Sequence, residues 1–270
     1  MKYIYSILIF TTICNSAFCQ DKSIKLKSIS INKTIEFYTK PSRLNWHITS
    51  LESALKANLD STSDITLVPK INFAQKIPIG EEYFKKIDIQ TQLDAYMSIS
   101  KKSSVYLMYA YSASNIFAKH LAAAEGTLNI SNGLVISSGI KMYYWTKPIF
   151  SLSLGVDKYI SKTLVMIKPY ITYINSNCYG SINIGIRQYF KDQLDYIHLG
   201  IYGGHSAETI PHLDSESLLS NKTWGTYLLL QKKIFTVLTL KTVFSFRNEQ
   251  YANGLNRNIP GLTIGISYLF

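Results

Sequence analysis

Once its first twenty residues are set aside, this chain has almost no cysteine. Cys14 and Cys19 fall in that opening stretch and leave Cys178 alone, so neither a disulfide framework nor a thiolate metal site can be built. The 5 histidines are scattered without ligand spacing, and no glycine-rich phosphate loop is present, so no metal and no cofactor is expected. Charged residues make up only 17% of the chain and proline contributes 7 positions, a composition too apolar for disorder and consistent with one domain. Long apolar runs are missing as well. Beyond the opening stretch nothing reaches the roughly 18 uninterrupted apolar residues that a membrane-spanning helix needs. If this chain crosses a bilayer, it must do so with strands.

What is present begins with an export signature. Lys2 is followed by an uncharged run from Tyr3 to Cys14 and then by Asn15, Ser16, Ala17, Phe18 and Cys19. That pattern reads as a signal peptide over 1–19, with a mature chain starting at Gln20. A lipoprotein anchored through Cys19 is the rival reading, and Phe18 argues against it by standing where a small residue is normally required.

The rest of the chain alternates with period two. Ile182, Ile184 and Ile186 interleave with Ser181, Asn183, Gly185 and Arg187, and Ile197, Leu199 and Ile201 with Tyr196, His198, Gly200 and Tyr202. Phe150, Leu152, Leu154 and Val156 do the same against Ser151, Ser153, Gly155 and Asp157. Such a pattern means strands with one apolar face. A soluble antiparallel sandwich also alternates, but three features favour a transmembrane barrel. The polar face is rich in glycine, serine and tyrosine, as a crowded lumen requires. The strands run to about 9 to 13 residues, against about 5 to 6 in soluble sheets. Finally, Leu262, Ile264, Ile266, Tyr268 and Phe270 face one way up to the last residue, which makes Tyr268 and Phe270 a candidate insertion signal for the barrel assembly machinery.

The fold class predicted is therefore all-β: a transmembrane antiparallel up-and-down barrel of about 12–14 strands. It is expected to occupy 34–270, behind a short periplasmic segment over 20–33. Long connections are predicted near 75–85, 112–118, 205–221 and 248–260. Tight turns are predicted at Ser131-Asn132-Gly133, Lys191-Asp192-Gln193 and Lys232-Lys233.

The stretch Ile116-Phe117-Ala118-Lys119-His120-Leu121-Ala122-Ala123-Ala124-Glu125 resembles the motif Ile-Phe-Pro-Lys-His-Arg-Ala-Gly-Ala-Glu of the YaiO family of outer-membrane β-barrels. Ile116, Phe117, Lys119, His120, Ala122, Ala124 and Glu125 match, whereas Ala118, Leu121 and Ala123 depart. Lys168-Pro169-Tyr170, Arg187-Gln188-Tyr189-Phe190 and Gly203-Gly204-His205-Ser206-Ala207-Glu208 are further similarities, and the resemblance runs from about residue 34 to the end. It implies location in the outer membrane of a Gram-negative cell and a barrel without an agreed biochemical activity. Some similar barrels accompany polysaccharide export systems.

Strand parity sorts the charges. Glu52, Asp88, Asp94 and Glu125 are predicted to form an acidic lumen wall, and Lys168, Arg187, Lys241 and Arg247 a basic one. The basic wall suits anionic solutes or acidic polysaccharide; the plainer reading is a lumen closed by ion pairs between the walls, because a narrow barrel holds little water to solvate unpaired charge. Lys119, His120 and Glu125 are read as a structural motif at the rim. The formal net charge of +11 points to outer-membrane lipid and lipopolysaccharide phosphates as partners, and nucleic-acid binding is not supported. The expected function is a non-enzymatic pore or a component of envelope polysaccharide handling. The alternative is a barrel enzyme, a hydrolase or acyltransferase at the outer loops, for which His205, Ser206, Glu208, His212 and Asp214 are the candidate cluster.

Overall fold

Alternation of this kind has one low-energy outcome in a bilayer: strands that satisfy every backbone N–H and C=O by pairing and leave no edge. The computed structural model of the chain describes residues 24–39, 44–58, 64–78, 86–113, 116–145, 147–174, 177–205, 222–250 and 256–270. The signal peptide read over 1–19 lies outside these residues. The strands are β1 (Ile24–Tyr38), β2 (Leu44–Asn58), β3 (Asp64–Pro78), β4 (Lys86–Ser98), β5 (Ser103–Ser112), β6 (His120–Ser131) and β7 (Leu134–Tyr144). They continue with β8 (Pro148–Ile160), β9 (Thr163–Ile174), β10 (Asn177–Tyr189), β11 (Tyr196–Gly204), β12 (Lys222–Phe235), β13 (Leu238–Gln250) and β14 (Asn256–Leu269). Each strand pairs antiparallel with its neighbours in sequence, and β1 pairs with β14 to close the ring.

The two faces separate as the parity predicts. Ile140, Leu152, Leu154, Ile186, Leu199 and Ile264 stand exposed on the outside, whereas Ser151, Thr172, Ser181 and His198 on the alternate positions are buried in the lumen. Aromatic side chains edge the outer surface: Tyr109, Tyr111, Tyr144 and Trp224 near one rim, Phe235, Tyr268 and Phe270 near the other. At that second rim, where the two ends of the ring meet, the Asn132-Gly133 turn places both residues at positive φ, 47° and 73°. This is the two-residue hairpin geometry whose twist matches paired strands.

Five strand boundaries differ from expectation. The first strand begins at Ile24, not near 34, so 24–33 is barrel wall paired with both β2 and β14 rather than a separate periplasmic segment. Two features hide it in the sequence: a bulge between Leu26 and Ser28 shifts its phase, and Lys33 sits on the outer parity with Ile29, Ile31 and Ile35, where its ammonium donates to Thr49 Oγ1 at 3.0 Å. On the opposite rim β3 runs on to Pro78, while β13 and β14 continue to Gln250 and from Asn256. The long connections expected at 75–85 and 248–260 are correspondingly shorter, because polar ladder residues there read as loop. Lys232 and Lys233 lie within β12, and the turn comes at 236–237.

Candidate functional site

The lumen is where this sequence keeps its polar and charged side chains, and its outer half is filled from a direction that strand parity cannot predict. After β5 the chain turns inward, and the loop is pinched shut where Ser112 N–H donates to the Lys119 carbonyl at 3.0 Å. Ile116, Phe117 and Ala118 are buried. Ile116 and Phe117 pack against Tyr38, Trp46, Ile48, Ala74 and Ile259, side chains of β1, β2, β3 and β14 that face the lumen from across the ring. Ala118 joins Tyr143, Trp145, Ile149 and Ile174 on the near side. A loop with apolar residues at its tip gains more by burying them in the lumen than by leaving them in water.

Turning inward leaves backbone donors in a dry place, and one carboxylate satisfies them. Asp88, only 3% exposed, accepts from Ile116 N–H at 3.1 Å, Phe117 N–H at 2.8 Å and Ser112 Oγ at 2.5 Å. Asp88 was expected in an acidic wall. Three of its partners are the loop's own donors and the fourth is the neighbouring Ile89 N–H at 2.7 Å, so Asp88 ties the loop to β4.

Beside the loop lies a buried charge network. Arg247 donates from Nε to Glu249 at 3.0 Å and from Nη2 to Glu36 at 3.4 Å and Tyr38 Oη at 3.3 Å. Tyr38 Oη donates to Glu36 at 2.9 Å. Glu249 also accepts from Arg257 at 2.6 Å and 3.1 Å, and the Arg257 guanidinium lies 4.7 Å from the Tyr38 ring centre. Glu36, Glu249 and Arg257 are absent from the sequence-derived set. The last two sit in the stretch whose polar ladder residues read as loop.

Under the plug lies a cavity of about 290 Å³. Phe117, Tyr143 and Trp145 border it on one side and Asn72, Gln90 and Gln92 on another. Below it the remaining expected lumen charges separate into local groups. Lys70 bridges Glu52 at 3.3 Å and Asp94 at 2.8 Å within the first half of the barrel. Lys168 meets Glu125 at 2.5 Å, a pair that does join the expected basic and acidic walls. Lys241 is on the lumen face of β13, and Arg187 lies nearest the turns. A single transverse field of acids facing bases is not what the geometry contains; most charges are matched close to home, as the desolvation cost of a narrow interior demands.

The motif around 116–125 is thus divided between three environments. Ile116 and Phe117 are plug, Glu125 is a lumen ion pair, and His120 points outward, its Nδ1 2.8 Å from Tyr109 Oη and its ring 5.4 Å and 5.9 Å from those of Tyr111 and Tyr144. His120 therefore belongs to the exterior aromatic belt. Tyr268 and Phe270 stack edge-on at 4.9 Å. Of the candidate catalytic cluster, His205 stacks on Tyr179 at 5.9 Å. Ser206, Glu208, His212 and Asp214 lie outside the described residues. Among the described residues no group of acids, histidines and cysteines is arranged to hold a metal ion.

The description "YaiO membrane beta barrel domain" matches residues 26–209, from within β1 to just past β11. The chain belongs to the YaiO family. No curated protein sequence matches this YaiO barrel. Among solved structures it is similar to the CymD monoaromatic hydrocarbon channel, with a TM-score of 0.50 at 6% identity over 91% of this chain and 89% of that one. OccK7 of Pseudomonas aeruginosa gives 0.49 at 8% identity, over 93% and 99%. An anion-selective porin from Comamonas acidovorans gives 0.46 at 8%, over 92% and 100%. At such identities the similarity is one of fold alone.

Proposed function

We propose that this YaiO barrel is a non-enzymatic outer-membrane pore, closed at rest, that serves in handling envelope polysaccharide or another anionic solute. The observation that carries this reading is the plug. The 116–118 segment is folded into the lumen with two of its backbone N–H groups held by one carboxylate, that of Asp88, while a cavity with polar walls remains beneath it. Loosening that anchor swings Ile116 and Phe117 away from β1, β2, β3 and β14 and joins the outer mouth to the cavity below.

Planar-bilayer recording tests it. The wild-type barrel should be silent or conduct rarely, and Asp88→Ala or Phe117→Gly should raise open probability or conductance several-fold. If both variants fold as compact barrels and conduct no more than wild type, the loop is no gate. Anion selectivity of the opened variants, measured by reversal potential, then tests the choice of solute.

A further inference from the structure

Among the described residues one guanidinium lacks what two others have. Arg247 and Arg257 each bond carboxylates. Arg187 has no carboxylate within ion-pair distance among the described residues. It is held instead by aromatic rings, 4.7 Å from the centre of Tyr196 and 5.9 Å from that of Tyr189. Its Nη1 donates to Tyr189 Oη at 3.2 Å and its Nη2 lies 3.5 Å from His198 Nδ1, and its Nε–H is buried without an acceptor. A guanidinium has five donors in a planar fork, so most of these are unused.

The same Arg187 borders a cavity of about 550 Å³ at the rim carrying the short turns, together with Tyr159, Lys162, Tyr189 and Lys191. That is the size of small-molecule sites in general. Lys162 and Lys191 add positive charge at its edge, and the Lys162 ammonium is steadied by the Phe190 carbonyl at 3.2 Å. Two carboxylates are near. Asp192 spends one oxygen on Leu194 N–H at 2.8 Å, and Asp157, on β8, feels Arg187 electrostatically without forming an ion pair.

We propose that this cavity is an oxyanion-binding site open to the periplasm, taking a phosphate or carboxylate carried on a flat or ring-shaped group. The anion sits on the free edge of Arg187 with Lys162 and Lys191 alongside, and the ring lies against Tyr159 and Tyr189. The site stands whether or not the plug opens, since it lies at the other end of the lumen.

The test uses the full mature chain in phosphatidylcholine nanodiscs, with phenyl phosphate, inorganic phosphate and phenol as probes in calorimetric titration. Phenyl phosphate should bind saturably and more tightly than inorganic phosphate, and phenol should not bind. Arg187→Gln should weaken phenyl phosphate by about tenfold or more, as loss of a charge-assisted contact does. The turn variant Lys162→Gln with Lys191→Gln, which touches no buried residue, should weaken it several-fold and keeps the test sound if Arg187→Gln folds poorly. Equal isotherms for wild type and both variants, or phenol binding as well as phenyl phosphate, would overturn the proposal. Replacing part of the lipid with phosphatidylglycerol separates the two sources of such an anion: displacement of the probe assigns the site to a lipid headgroup, and unchanged binding assigns it to a soluble periplasmic anion.

Discussion

Asp88 and Arg247 show two ways for a charge to be buried. Among the described residues Asp88 has no ion-pair partner. Its oxygens accept from three backbone N–H groups, those of Ile89, Ile116 and Phe117, and from the Ser112 hydroxyl, so a buried carboxylate is satisfied by hydrogen bonds. Asp88→Ala leaves those donors buried and unpaired, at about 1–3 kcal/mol for each group that water cannot reach. The temperature at which the barrel loses its compact migration on a detergent gel should therefore fall, and Asp88→Asn, which keeps an acceptor oxygen, should fall less. Arg247 is held between Glu36 and Glu249, so Arg247→Leu strands two acids on one remaining guanidinium and should cost on the order of 3–5 kcal/mol. Adding Glu36→Gln to it should recover part of that loss; a double variant no better than the single one would show that the pair is not energetically coupled.

At the scale of the strands, tight packing inside the ring rests on glycines opposite tyrosines. Gly200 faces Tyr227 and Gly225 faces Tyr202 across neighbouring strands. A methyl group at Gly225 would meet the Tyr202 ring at 2.5 Å and the Phe246 carbonyl oxygen at 2.7 Å; at Gly200 the three nearest atoms it would meet all belong to the Tyr227 side chain. A ring can swing aside but a backbone carbonyl cannot. Gly225→Ala should therefore destabilise by about 1–3 kcal/mol and more than Gly200→Ala, a ranking that thermal unfolding of the two variants would check. Strands of this kind were legible in sequence wherever one face was purely apolar, as in β10 with Ile182, Ile184 and Ile186. They were illegible where charge shares the outer face, as Lys33 does in β1, and where ladder residues are as polar as Asn256 and Asn258. The inward loop could not be read from periodicity, which carries no direction for a turn. Ile116 and Phe117 at the tip of an outer loop were the available hint, since apolar residues there need somewhere to go.

For the whole molecule, the parity rule sorted charges into lumen and exterior but not into partners, because partners depend on which strands the ring brings face to face. Lys168 and Glu125 pair across 43 residues; Glu36 and Arg247, 211 apart, meet only because the ring closes. Removing Phe270 should lower the fraction of chain recovered as assembled barrel in the outer membrane while leaving its synthesis unchanged, if Tyr268 and Phe270 are the insertion signal. Equal recovery with and without it would dismiss that role.

The seam between the first and last strands has a further consequence. Thr34 and Thr263, 229 residues apart, share a hydrogen bond across it, and Phe270 N–H reaches the Lys27 carbonyl. Bringing such distant ends together is the costliest loop closure the chain performs, so a barrel in which β14 fails to dock on β1 would be left as an open ribbon with two raw borders. Each border would be a template for any passing strand. Closing the seam therefore doubles as the molecule's own safeguard against clumping.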